Sequence, residues 1–245
     1  MKNFVGIGGG EIPGWNFKTK DLNQELYQTK EIDEYIVSLS QKKNPKLLFI
    51  GTASSENSIY FNALKNIYEK LGCAVEELKL FGETEIEIPL IETRIDEIRQ
   101  KILLADIIYI GGGNTKRMLN KWSEFGIGQM IMEAYENGII VSGFSAGCYS
   151  FFKYNYELIE GLGIINAIIC VHYDEKSEEK KKQFLESIKE KQLTGIALDN
   201  GVAIYYFDNK FKIVKSIKNA KAYKFNYKNS GVEKEELEEG IEYYI

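Results

Sequence analysis

Short apolar runs alternate with amphipathic stretches along most of this chain, a rhythm that predicts a parallel sheet flanked by helices. Strands are expected at Phe4–Gly8, Lys46–Thr52, Ala74–Leu80, Ile107–Ile110, Ile139–Ser142 and Ala167–Val171. Several of these runs are apolar without alternation, as strands covered on both faces should be. Between and after them, Asp21–Leu39, Ser58–Leu71, Ile91–Leu104, Thr115–Trp122, Ile127–Asn137 and Ser177–Lys191 read as helices. Leu71-Gly72 and Asn137-Gly138 have the composition of helix ends closed by a left-handed residue. Beyond Thr194 the rhythm changes. Ile196–Leu198, Val202–Phe207, Lys210–Ser216 and Ala222–Asn226 are short, with turn pairs such as Asp208-Asn209 between some of them. They predict an antiparallel extension at the sheet edge. The expected fold class is α/β: a three-layer sandwich with a mostly parallel sheet flanked by helices, and antiparallel strands added near the C-terminus. No repeat or Pro/Ser-rich linker divides the chain, so one domain over residues 1–245 is expected. Its active site should lie where parallel strands present their carboxyl ends.

Composition narrows the classes of function. Of the 245 residues, 44% are apolar, which is ample for a buried core. Lys and Arg number 31 against 36 Asp and Glu, a formal charge of −5 that argues against general nucleic-acid or anionic-membrane binding. No apolar segment approaches the length needed to span a bilayer, and the first residues lack the apolar core and cleavage site of a signal peptide. Cys73, Cys148 and Cys170 are odd in number and lack metal-ligand or redox spacing, so they read as small core residues of a reduced, cytoplasmic protein. A single histidine and dispersed carboxylates give no metal-ligand set, and no metal is expected. The charge runs Glu175–Lys182 and Glu233–Glu239 read as solvated faces.

Candidate chemistry gathers at three strand ends. Gly143-Phe144-Ser145-Ala146-Gly147 directly follows the run Ile139–Val141, the strand–turn–helix pattern of a nucleophile elbow. Flanking glycines would permit the sharp turn that exposes the Ser145 hydroxyl; the plainer alternative makes Ser145 an N-cap. Gly111-Gly112-Gly113-Asn114-Thr115 follows Ile107–Ile110 and lets backbone N–H groups approach a ligand, with Asn114 or Thr115 able to cap the next helix. It could cradle phosphate, but it lacks the Lys-Ser/Thr ending of a P-loop and the full Gly-x-Gly-x-x-Gly spacing. Beside an elbow serine it makes better sense as half of an oxyanion hole, with Gly112 or Gly113 giving one amide and Ala146 the other. His172, the sole histidine, ends the run Ala167–Val171 and falls at the same rim. Any Ser-His mechanism within one subunit must use it, because a serine hydroxyl needs a neighbouring base.

In combination, Gly111-Gly112-Gly113-Asn114-Thr115, then Gly143-Phe144-Ser145-Ala146-Gly147, then the strand-end His172 resemble the peptidase E and cyanophycinase family. The resemblance covers at least residues 46–207. It implies a fold similar to class I glutamine amidotransferases, with Ser145 as nucleophile, His172 as base, and the amides of Gly112, Gly113 and Ala146 as oxyanion hole. It also implies a cytosolic, cofactor-free hydrolase; known members favour an N-terminal aspartyl residue or the aspartyl linkages of cyanophycin.

This chain departs from the family pattern twice. The family's imidazole-orienting glutamate falls on Asn200 in Leu198-Asp199-Asn200-Gly201-Val202-Ala203. An amide can hold an imidazole tautomer but supplies no charge. Asp199 could substitute after a small register change, Asp174 could serve instead, or Asp199-Asn200-Gly201 could be a plain turn. Members that grip an aspartyl carboxylate carry an arginine shortly after the histidine, whereas Tyr173–Lys180 contains none. Lys176, a single point charge beside Asp174 and Glu175, and Asn114 are the candidate substrate contacts. The expected activity is that of a serine-type exopeptidase or dipeptidase-like hydrolase acting on small peptides, with aspartate preference open. The alternative is a catalytically impaired member that binds a small ligand or regulates. An amidotransferase would need cysteine at the elbow apex, and Cys148 lies three residues past Ser145. A nucleotide site on Gly8-Gly9-Gly10 or Gly111–Gly113 is a further rival. The expected partner is a small peptide, with no nucleic acid and no membrane; assembly into a homo-oligomer stays open.

Overall fold

The computed structural model describes residues 2–15, 26–81, 92–228 and 231–245. In chain order its elements are β1 (Asn3–Ile7), α1 (Lys30–Leu39), β2 (Lys46–Ile50), α2 (Ser58–Lys70), β3 (Ala74–Leu78), α3 (Glu92–Leu103), β4 (Ile107–Ile110), α4 (Thr115–Phe125) and α5 (Ile127–Glu136). There follow β5 (Ile140–Phe144), α6 (Ala146–Tyr149), β6 (Phe152–Asn155), β7 (Ile165–Val171), α7 (Glu178–Lys191), β8 (Gly195–Leu198), β9 (Val202–Phe207), β10 (Lys210–Lys215), β11 (Ala222–Lys228), β12 (Gly231–Leu237) and β13 (Tyr243–Tyr244). Residues 21–25 of the first expected helix, and Ile91 of the third, lie outside the described residues. Both glycines expected to close helices do so with positive φ, 91° at Gly72 and 84° at Gly138.

The architecture is mixed α/β with two sheets. An eight-stranded sheet runs β13-β10-β9-β1-β5-β4-β2-β3. Its members β1, β5, β4, β2 and β3 pair in parallel, and β9, β10 and β13 add antiparallel pairs at one side. A second sheet, β12-β11-β8-β7-β6, is parallel through β6, β7 and β8 and antiparallel beyond. This corrects one expectation: Ile196–Leu198 does not extend the large sheet but lies within the second, parallel to β7 on one side and antiparallel to β11 on the other. The reason lies in β7, whose alternate residues Ala167, Ile169, Val171 and Ile168, Cys170 are all fully buried. A strand apolar on both faces needs cover on both faces.

That cover makes the layers. Residues such as Val5, Leu47, Phe49, Ile107 and Tyr109 face α1 and α2 on one side of the large sheet. Phe4, Leu48, Ile108 and Val141 face the other way, into a core shared with α3–α6 and with Ile169, Val171, Ile196 and Leu198 of the second sheet. The outer face of that second sheet packs Ile168, Cys170, Ala197 and Phe225 beneath Phe184 and Ile188 of α7. The carboxyl ends of β1, β4 and β5 therefore open on one edge, and β7 and β8 bring their own carboxyl ends to it.

Candidate active site

β5 stops at Phe144, and Ser145 turns the chain into α6 with φ 50° and ψ −104°. A non-glycine residue in that region carries about 1–3 kcal/mol of strain, which the surroundings must hold in place. The Ser145 N–H donates to the Ile7 carbonyl at 3.0 Å, and the Tyr149 N–H donates to the Ser145 carbonyl at 3.0 Å. The flanking glycines do a different job from the expected one, for neither has positive φ. A Cβ on Gly143 would lie 2.4 Å from the Gly147 backbone, and one on Gly147 would lie 2.2 Å from the Ile110 carbonyl oxygen. They let α6 press onto β4 and β5, while the serine itself bears the strain.

β7 ends at Val171, and His172 follows in the left-handed region at φ 51° and ψ 43°. Its N–H donates to the Gly8 carbonyl at 3.0 Å. This turn swings the imidazole back over the strand ends. Nε2 lies 2.9 Å from Ser145 Oγ, and Nδ1 lies 2.7 Å from Asn200 Oδ1. Asn200 sits in the turn between β8 and β9, where the Gly201 N–H donates to the Gly9 carbonyl at 2.9 Å. Burial holds the His172 pKa below its ordinary value; the Asn200 hydrogen bond and the Asp174 and Glu175 charges oppose that shift, and Lys176 adds to it.

The other candidates for the third position separate clearly. Asp199 is not beside the imidazole: its Oδ2 accepts the Lys221 N–H at 2.9 Å, on the side that faces β11. Adjacent residues of an extended strand end point opposite ways, so Asn200 and Asp199 could not both reach His172. Asp174 reaches Asn200 instead, accepting its backbone N–H at 3.0 Å and its side-chain Nδ2 at 3.3 Å. Glu175 Oε1 accepts from the same Nδ2. Glu175 stays exposed, as the start of a solvated charge run should be. A short 3₁₀ turn over Tyr173–Glu175, entered through the left-handed residue before it, brings its carboxylate to Asn200 all the same.

The glycine loop after β4 divides its amides. Gly112 N–H donates to the buried Tyr60 hydroxyl at 3.3 Å. Gly113 has φ 141°, and a Cβ there would lie 2.3 Å from the Ala53 carbonyl oxygen. Among the described residues the Gly113 and Ala146 amides have no protein acceptor. Asn114 caps α4, its Oδ1 accepting from the Arg117 N–H at 2.9 Å. A cleft of about 420 Å³ is lined by Gly113, Asn114, Ser145, Tyr156, His172 and Lys176, among others. Lys176 lies with Nζ 4.9 Å from the Tyr156 ring centre, and burial lowers its pKa. Cys148 stands apart, wholly buried in the core, where desolvation pushes its thiol pKa up. No group of three or more His, Cys, Asp or Glu among the described residues could hold a metal ion.

Residues 22–214 match the model of peptidase family S51. The chain belongs to that family. An uncharacterized peptidase of Bacillus subtilis, YgaJ, is 28% identical over 233 residues, covering 91% of this chain and 92% of its own. Among solved structures, a peptidase from an acI-B1 Actinobacterium superposes with TM-score 0.71 at 19% identity, covering 100% of this chain and 97% of that one. A Listeria monocytogenes protein assigned to peptidase E gives TM-score 0.62 at 20% identity over 88% of this chain and 98% of that one. These two structures speak for the fold; the family match makes the protein a serine peptidase in general terms. No described helix of this S51 peptidase is long and apolar enough to cross a membrane.

Sequence reasoning missed Gly9. A Cβ there would lie 2.2 Å from Asn200 Oδ1 and 2.2 Å from His172 Nδ1 and Cε1. The backbone of Gly8–Gly10 is thus the floor on which the pair rests. Its signal in the sequence is a glycine run at a strand's carboxyl end, a pattern that reads equally as a nucleotide loop.

Proposed function

We propose that this S51 peptidase hydrolyses small peptides through an acyl-enzyme on Ser145. The observation that carries the reading is the line Ser145 Oγ–His172 Nε2, His172 Nδ1–Asn200 Oδ1, at 2.9 and 2.7 Å, on a strained elbow facing a cleft. His172 Nε2 takes the Ser145 proton as Oγ attacks the peptide carbonyl, then gives it to the departing amine. Water, activated by the same nitrogen, releases the acid and restores the serine. The Gly113 and Ala146 amides stabilise the developing oxyanion; the Gly112 amide, turned to Tyr60, supports the loop. Asn200 holds the imidazole. No metal or cofactor enters these steps.

The cleft size and its two lysines, Lys116 and Lys176, support a dipeptide or another short peptide as substrate, trimmed from one end. Lys176 offers one ammonium to a substrate carboxylate where a guanidinium would offer a fork, so any aspartyl preference is weaker than arginine would give. Asn114 lines the same cleft. Three free, buried cysteines support a reducing, cytoplasmic setting.

Fluorophosphonate labelling tests the reading directly. The wild-type chain is expected to label once and Ser145→Ala not at all, with dipeptide hydrolysis lost in parallel. A wild-type chain that neither labels nor cleaves any member of a dipeptide panel overturns it. Asn200 in place of an acid favours a second reading, a ligand-binding member with little turnover. Saturable binding of a peptide without labelling is its signature.

A further inference from the structure

We propose that Asp174 and Glu175 clamp Asn200 so that this amide does the work of a carboxylate: they fix the imidazole tautomer and supply the missing negative charge from one residue further out. An asparagine alone could present either its oxygen or its NH₂ to a histidine. Here both Nδ2 hydrogens face carboxylates, toward Asp174 Oδ2 at 3.3 Å and Glu175 Oε1, while Asp174 Oδ1 also takes the Asn200 backbone N–H at 3.0 Å. Turning the amide over would put its oxygen against two anions and take the side-chain N–H donor away from both carboxylates. Oδ1 must therefore face His172 Nδ1, and it can only accept. Nδ1 then carries the hydrogen, and the Nε2 lone pair is left toward Ser145 Oγ.

The clamp also answers the charge that Asn200 lacks. When Nε2 takes a proton, the imidazolium donates to an amide whose hydrogens are already drawn toward two anions, and the chain of hydrogen bonds passes that polarisation inward. Asp174 and Glu175 are positioning residues, because neither touches the imidazole. The other charged groups nearby are Lys176, which opposes protonation, Asp199, tied to the Lys221 backbone, and Glu157 and Lys116, which line the same cleft. One local sequence, His172-Tyr173-Asp174-Glu175, supplies the base and both anions, because a left-handed residue and a 3₁₀ turn fold it onto itself.

The single histidine makes the clamp visible without a substrate. In protein labelled with ¹⁵N-histidine, one imidazole spectrum reports tautomer and titration midpoint. Wild type is expected in the Nδ1–H form. Asp174→Asn with Glu175→Gln, which keeps the shapes and removes the charges, is expected to mix the tautomers and lower the midpoint by about one pH unit. Should that pair fail to fold, each single substitution gives the same direction with a smaller change. The kinetic arm rests on Ser145 being the nucleophile. There, Asn200→Asp is expected to slow fluorophosphonate labelling about tenfold, since a third carboxylate meets two others. Adding Asp174→Asn and Glu175→Gln to it is expected to restore the rate. An unchanged spectrum in the neutralised variants, or faster labelling in Asn200→Asp alone, overturns the clamp. Absence of labelling in every form with the expected spectra would instead sink the nucleophile and leave the clamp standing.

Discussion

Gly8-Gly9-Gly10 leaves β1 and Gly111-Gly112-Gly113 leaves β4, at the same carboxyl edge of one sheet. As sequence the two runs look alike, and each could be taken for a loop that receives a ligand. What stands where a side chain would be tells them apart. Under the first run lie His172 and Asn200, 2.2 Å from a Cβ on Gly9. Around the second lie Phe49 and Tyr60 at Gly111, Phe144 at Gly112, and the Ala53 backbone at Gly113. The first run is moulded, at Gly9, to a polar pair, and the second to an aromatic core and the 3₁₀ turn Thr52–Ser54. A glycine run at a strand end therefore marks close approach, and the approaching partner need not be a ligand.

Gly9→Ala should break the first half of that contrast most severely. The new methyl would meet the His172 ring and Asn200 Oδ1, which their mutual hydrogen bond holds in place, and φ of 145° is a conformation alanine rarely adopts. The imidazole must move by an ångström or so, for which a loss of about 10²-fold or more in labelling rate is expected. The ¹⁵N-histidine spectrum should change with it. Gly113→Ala should cost stability and disturb its own oxyanion amide but leave the imidazole where it is, because its methyl meets the Ala53 backbone rather than the pair. A loss of about 3 kcal/mol, read from the urea midpoint, is expected. If Gly113→Ala disturbed the histidine spectrum as strongly as Gly9→Ala does, the division of labour would fail.

The pH profile sharpens the same contrast with a smaller effect. Burial, the largest influence on His172, holds its pKa below the ordinary 6.5. The base acts in its neutral form, which is present above that lowered midpoint and lost as pH falls through it. The acid limb of the labelling rate should accordingly lie below pH 6.5 in wild type. It should move when the Asp174 or Glu175 charge is removed and stay in place when the Gly111–Gly113 side is altered. An acid limb above the ordinary histidine value would contradict the burial seen here.

Much of the framework was legible because buried parallel strands announce themselves as unbroken apolar runs. Ile107–Ile110 and Val202–Phe207 match the structure residue for residue, and Ser145 and His172 fell on strand ends. Other features were hidden for definite reasons. β6, Phe-Lys-Tyr-Asn, is short and half polar, and β12, Gly-Val-Glu-Lys-Glu-Glu-Leu, is a charged edge strand whose composition reads as solvent-facing loop. The second sheet was invisible because pairing partners are a property of three dimensions. Glu175 is the surface charge it reads as, but the left-handed φ at His172 also brings its carboxylate to Asn200, and composition carries no sign of that angle. Asp199 and Asn200 were inseparable in sequence; one residue of register decides which faces the imidazole.

The smallest effect is the most discriminating for the second glycine run. Tyr60→Phe removes the hydroxyl that accepts the Gly112 N–H, leaving the pocket's shape and the ring contacts with Phe49 and Trp15 intact. The bond is long, at 3.3 Å, and both partners are buried, so a loss of about 1 kcal/mol in stability is expected. Labelling should hardly move, far inside the roughly 10²-fold that an oxyanion donor is worth. Were the Gly112 amide a donor restrained by Tyr60, freeing it would instead speed the reaction. Faster labelling in Tyr60→Phe would thus return Gly112 to the oxyanion hole, while an unchanged rate leaves that place to Gly113 and Ala146.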